Sequence, residues 1–82
     1  MNLIVLGTGC AKCNQLYQVT EQAAQELGVP YELSKVTDLK QIMALRVMFT
    51  PALVVNGSVK VTGKVPGLAE LKEMLKRVRG ET

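Results

Sequence analysis

The chain has 82 residues, 48% of them apolar, with ten Lys and Arg against seven Asp and Glu for a net charge of +3. This length bounds it to one small domain, residues 1–82, and the apolar fraction excludes a disordered chain. No apolar run approaches the roughly 20 residues of a membrane span. The first strand opens at Leu3, which leaves no room for a signal peptide, so a cytoplasmic location away from membranes is expected.

The elements follow in chain order. Leu3 to Leu6 is a short unbroken apolar run, as in a strand covered on both faces. From Ala11 to Leu27 the period becomes helical, with Cys13, Leu16, Tyr17, Thr20, Ala23, Ala24 and Leu27 on one side and Gly28 as the stop. Val29, Tyr31 and Leu33 alternate with Pro30, Glu32 and Ser34, which predicts a half-buried edge strand. Thr37 or Asp38 caps a second helix running to about Leu45, with Asp38 and Gln41 spaced as a capping box and Leu39, Ile42, Met43 and Leu45 or Arg46 setting its faces.

Ala52 to Val55 is a second unbroken apolar run, and Asn56-Gly57 after it is a strong hairpin signal. Val59 and Val61 alternate with Ser58, Lys60 and Thr62 in a half-exposed strand. A loop over Gly63 to Gly67 leads to a closing helix with Leu68, Leu71, Leu75 and Val78, and Met74 beside them, fraying from Gly80. Met43, Met48 and Met74 read as core filler, and with only Tyr17, Tyr31 and Phe49 aromatic the core is aliphatic.

The order is β-α-β-α-β-β-α. Continuous apolar strands belong in the centre and alternating ones at the edges, and a right-handed crossover makes the first pair parallel. The fold class is therefore α/β: a four-stranded mixed sheet ordered second, first, third, fourth, flanked by three helices. Lys72, Lys76, Arg77 and Arg79 crowd the last helix, where cations complement its dipole. Aromatics that stack on bases are absent from that segment, so no nucleic-acid partner is expected.

The chemistry concentrates in Cys10-Ala11-Lys12-Cys13, the only two cysteines of the chain, at the junction of the first strand and the first helix. Two thiols one helical turn apart can bridge, and the helix end stabilises a thiolate by about 0.3–1 kcal/mol, up to ~2 in partly buried geometry. At about 1.4 kcal/mol per pKa unit this brings a thiol from about 8.5 towards ~7–8. Cys10, at or near the N-cap, is the candidate nucleophile. Cys13, one turn deeper on the face of Leu16 and Tyr17, is the candidate resolving thiol. A purely structural bridge is the weaker alternative, since so short a loop gains only about 2 kcal/mol.

Three stretches carry a family resemblance: Gly9-Cys10-Ala11-Lys12-Cys13, Thr50-Pro51-Ala52-Leu53-Val54-Val55-Asn56-Gly57, and Gly63-Lys64-Val65-Pro66. With the element order, they make the chain resemble the thioredoxin and glutaredoxin superfamily, specifically its small prokaryotic redox-active-disulfide proteins. The resemblance implies a thiol–disulfide oxidoreductase that needs no cofactor beyond a Cys10–Cys13 disulfide. Its implied partners are protein disulfides and an unidentified reductase or thiol donor, and a monomer is expected.

The resemblance also makes Pro51 a cis-proline lying against the disulfide, with the Thr50 backbone free to pair with an extended substrate. Gly9, Ala11, Lys12 and Gly63 complete the implied substrate surface. Gly9 stands where thioredoxins carry tryptophan, and Leu3 to Leu6 offers no buried acid, which leaves proton transfer to water or Lys12. The loop Gly63-Lys64-Val65-Pro66-Gly67-Leu68 lacks the acid with which glutaredoxins hold glutathione.

The alternative function is a soft-metal carrier of copper-chaperone type, binding through the same two thiolates. Such carriers follow the order β-α-β-β-α-β and end on a strand. A mononuclear zinc or iron–sulfur site normally needs four ligands, and the chain has two cysteines and no histidine. Gly7 and Gly9 begin a dinucleotide fingerprint that Lys12 breaks.

Overall fold

The computed structural model describes residues 1–7, 11–47 and 49–80, with the backbone alone at residues 79 and 80. Four strands, β1 (Asn2–Leu6), β2 (Glu32–Val36), β3 (Ala52–Val55) and β4 (Ser58–Thr62), alternate with α1 (Ala11–Leu27), α2 (Leu39–Ala44) and α3 (Leu68–Gly80). The sheet order is β2-β1-β3-β4. β1 and β2 run parallel, whereas β3 is antiparallel to both β1 and β4. Architecture and strand order are those expected from the sequence.

The unbroken apolar strands supply both faces of the sheet. Leu3 and Val5 of β1, with Leu53 and Val55 of β3, join Leu16, Ala23 and Ala24 of α1 and Leu71, Leu75 and Val78 of α3 in the larger core. Leu6, Ala52 and Val54 point the other way and meet Ile42 of α2 and Val47 in a smaller one. This alternation is the period-2 geometry of a strand buried on both sides. All the fully buried apolar side chains are aliphatic or cysteine.

Local signals end the elements where the chain needs turns. Gly28 follows α1 at φ 69°, and Asn56 and Gly57 both take positive φ (49° and 85°) in the β3–β4 hairpin. Asn56 also closes on β1: its side chain accepts from the Asn2 N–H at 2.8 Å, and its own N–H donates to the Asn2 carbonyl at 2.8 Å. Asp38 is the α2 cap, its Oδ1 accepting from the Lys40 N–H at 2.9 Å.

Four expectations need correction. β2 starts at Glu32, not Val29, because its first ladder partner is Asn2 and Pro30 lies outside the paired register. A register shift between Leu53 and Val54 pairs Leu53 with Val61 but Val54 with Val59. That bulge turns Val59 off the large core, so Val61 is buried while Val59 is exposed. Met43 is 65% exposed and Leu39 is exposed beside it, since α2 directs only Ile42 inward. Met43 is therefore not core filler, whereas Met74 does pack against the large core. Finally, α3 continues through Gly80; Met48 and the last two residues lie outside the described part.

The two helices over the large core are also tied at the surface. Lys72 of α3 donates to Glu26 Oε1 at 3.2 Å, and Gln22 donates to Glu26 Oε2 at 3.0 Å. The Lys72 hydrogen bond, then that of Gln22, holds the Glu26 carboxyl below its usual range. In the middle of α1, Thr20 is fully buried and its Oγ1 has no hydrogen-bond partner among the described residues. An unsatisfied buried hydroxyl costs about 1–3 kcal/mol, and valine has nearly the same shape without it. Thr20→Val is therefore expected to stabilise the protein by about 1 kcal/mol, read as a higher urea midpoint at unchanged slope. A lower midpoint would mean that the hydroxyl is satisfied in solution.

Candidate active site

Sheet register assembles the candidate site at one end of the strands. The last β1 residue, Leu6, pairs with Val36 on one side and Ala52 on the other, and Ala52 pairs with Thr62. One step further, the Gly7 N–H donates to the Val36 carbonyl at 3.0 Å and the Gly63 N–H donates to the Pro51 carbonyl at 2.8 Å. Gly7 follows Leu6, and Pro51 precedes Ala52, the ladder partner of Leu6. The strands thus end in a row of Val36, Gly7, Pro51 and Gly63.

Cys13 stands behind this row. It lies in the first turn of α1, fully buried, with Leu16 below it on the same face. Gly7 is what lets it come so close. A β-carbon at position 7 would overlap the Cys13 sulfur and lie 2.9 Å from its Cβ. Cys13 is thus buried, as its place one turn into the helix led us to expect. Ala11 and Lys12, the first two residues of α1, are exposed at the mouth. Gly9 and Cys10, the expected nucleophile, lie outside the described residues, as does Thr8.

On the other side of the row, the Thr50–Pro51 peptide bond is cis, Pro51 is buried and Thr50 is exposed. Gly63 takes φ 72°, and a Cβ there would meet the Phe49 Cβ at 3.3 Å. Gly63 therefore serves its own turn and seats Phe49, whose ring is 66% exposed beside Thr50. The register joins Gly7, Cys13, Pro51 and Gly63 into one site, with Thr50 at its rim.

Gly7 and Phe49 are the two site residues that the sequence reading missed. A glycine closing an apolar strand where no turn demands one was the available signal for Gly7. Phe49 could have been found as an aromatic next to Thr50-Pro51 in a chain whose core uses none. Among the described residues, no group of three or more His, Cys, Asp or Glu is placed to hold a metal ion.

Comparison with known proteins agrees with this geometry. A family model described as a thioredoxin domain matches residues 1–76. A thioredoxin of Methanocaldococcus jannaschii is 43% identical over 72 residues, which is 88% of this chain and 83% of the relative. A thioredoxin of Methanothermobacter thermautotrophicus is 35% identical over 75 residues, covering 92% of this chain and 97% of the relative. With its β2-β1-β3-β4 sheet, the match over residues 1–76 and these relatives, the chain belongs to the thioredoxin domain family.

Proposed function

We propose that this chain is a thiol–disulfide oxidoreductase working through a Cys10–Cys13 couple. The carrying observation is the burial of Cys13 in the first turn of α1 against Gly7, which follows β1 at the end where Pro51 leads into its partner strand β3. The thioredoxin relatives support the same chemistry. The Cys10 thiolate attacks one sulfur of a substrate disulfide and expels the other as a thiol, leaving a mixed disulfide. Cys13 then displaces the second substrate thiol and closes the Cys10–Cys13 bridge. Two electrons pass from the protein dithiol to the substrate disulfide, and a thiol donor restores the dithiol.

On this reading no cofactor is needed beyond the disulfide, and residues 1–82 act as one monomeric domain. The substrates are protein disulfides met in the cytoplasm, with a reductase or small thiol as donor. Ala11 and Lys12 border the nucleophile, and Thr50 and Pro51 shape the surface the substrate lies on. Among the described residues no helix is long and apolar enough to cross a membrane.

A redox titration of metal-free protein across dithiol buffers tests the reading, with alkylated thiols counted by mass at each potential. One two-electron step between zero and two alkylated thiols is expected, and its midpoint separates a reductant from an oxidant. If no disulfide forms between about −320 and −120 mV, the oxidoreductase reading fails. The soft-metal carrier would then be the function to test.

A further inference from the structure

We propose that the exposed face formed by α2 and Phe49 selects protein substrates whose cysteine is flanked by apolar and acidic residues. Phe49 is the apolar contact on this face and Arg46 the cationic one. This inference rests on the oxidoreductase reading and names its substrate class.

Hydrophobic exposure is the first ground. Of the described residues, the large apolar side chains most open to solvent include Leu39, Met43, Leu45 and Phe49, all in the segment that leads into Pro51. A Cβ added at Gly63, whose N–H is bonded to the Pro51 carbonyl, would meet the Phe49 Cβ at 3.3 Å, so Phe49 lies close to the Pro51 end of the sheet while staying exposed. In an aliphatic core that leaves its one phenylalanine outside, an exposed ring beside the cis-proline has the placement of an interface contact.

The backbone at Arg46 is the second ground. The end of α2 is a Schellman motif: Val47 N–H bonds to the Ile42 carbonyl, and Arg46 N–H bonds to that of Met43 at 2.9 Å. Ile42 and Val47 are both buried in the smaller core and pin this turn. The residue between them must adopt positive φ, where glycine is favoured, yet Arg46 sits there at φ 62° and is exposed. The turn itself gains nothing from an arginine. An exposed non-glycine outlier three residues before Phe49 is grounds for a functional role.

Charge then decides the partner. Residues 7–20 and 33–69, which contain this end of the sheet and α2, hold six cations (Lys12, Lys35, Lys40, Arg46, Lys60 and Lys64) against one acid, Asp38. The Asp38 carboxylate is already used as the α2 cap. Lys64 faces Glu70 of α3 at 3.7 Å, and Lys35 is bonded to Asn14 at 2.7 Å. Lys12 in the first turn of α1, Lys40 in the first turn of α2 and Arg46 just after α2 are all exposed. A cationic rim around apolar contacts complements a segment carrying acidic and apolar side chains, and it disfavours a basic one.

The test uses pre-reduced full-length protein in single turnover, so no donor is required. Its substrates are self-quenched homodimeric peptide disulfides, each reduced to two peptide thiols as the protein dithiol becomes a disulfide. One peptide carries glutamates and a leucine beside its cysteine, a second carries lysines and a leucine, and a third carries glutamates and a serine. The glutamate–leucine peptide is expected to react roughly tenfold faster than the lysine peptide at low salt, a ratio that shrinks as salt rises. Arg46→Glu should level or invert that ratio, Phe49→Ser should abolish the preference for leucine over serine, and the remote reversal Lys76→Glu should change neither.

Equal wild-type rates on all three peptides, alongside reduction of neutral hydroxyethyl disulfide, would overturn the inference and leave the oxidoreductase reading standing. Failure to reduce any of these disulfides would overturn both. Sedimentation that shows wild-type dimers, dissociated by Phe49→Ser, would make this face a contact between copies and would also overturn it.

Discussion

A Cys13→Ser protein is expected to carry out one half of the exchange and stop. Its Cys10 thiolate can still open a substrate disulfide and release one thiol. The second displacement then has no sulfur to perform it. Intact mass after exposure to an excess of peptide disulfide should show one covalently attached peptide, removable by a strong dithiol reductant. Steady-state turnover should fall by roughly 10³-fold or more, as when one member of a catalytic unit is removed. Cys10→Ser should show neither adduct nor turnover, because the remaining thiol is fully buried. Cys13→Ala separates chemistry from folding, since it places no hydroxyl in the buried position and should trap the same adduct. An adduct that forms in Cys10→Ser but not in Cys13→Ser would exchange the two roles.

Most of the fold was legible because its main signals are local. Two unbroken apolar tetrads have to be central strands, Asn56-Gly57 has to be a hairpin, and Gly28 has to end a helix. What escaped depends on distances between elements. The bulge at Leu53/Val54 is a property of the β3–β4 pairing, and it reverses which face Val59 presents without any mark in the alternation. The six residues of α2 span under two turns, too few for periodicity to separate a buried Ile42 from an exposed Met43. The end of that helix carries no glycine, because Arg46 occupies the left-handed position where the stop signal normally stands. In the candidate site, Cys13 was singled out by its spacing from Cys10 at a helix start, and Thr50 and Pro51 by the family resemblance. Gly7 and Phe49 act through contacts with residues six and fourteen positions away, which no local pattern encodes.

Gly7→Ala is expected to be the most damaging single methyl group that can be added near the site. Gly7 directly follows β1, with its N–H tied to the Val36 carbonyl at the end of β2, so this stretch of chain cannot easily withdraw. The added carbon would overlap the sulfur of Cys13 and crowd its Cβ at 2.9 Å. Either α1 moves off the sheet or the cysteine leaves its rotamer. Overpacking of this kind costs about 1–3 kcal/mol. In a domain of this size that corresponds to a fall in Tm of roughly 4–8 °C per kcal/mol, measurable by thermal melting. The same displacement reaches the chemistry. A misplacement of about 1 Å can cost on the order of 10²-fold in rate, so ring closure by Cys13 should slow and the mixed disulfide should accumulate during turnover. A double-mutant cycle isolates the contact. Cys13→Ala removes the sulfur that Ala at position 7 would strike, and the pair should couple by about 1 kcal/mol or more in the favourable direction. Simple addition of the two losses would show that Gly7 does not hold the resolving thiol in place.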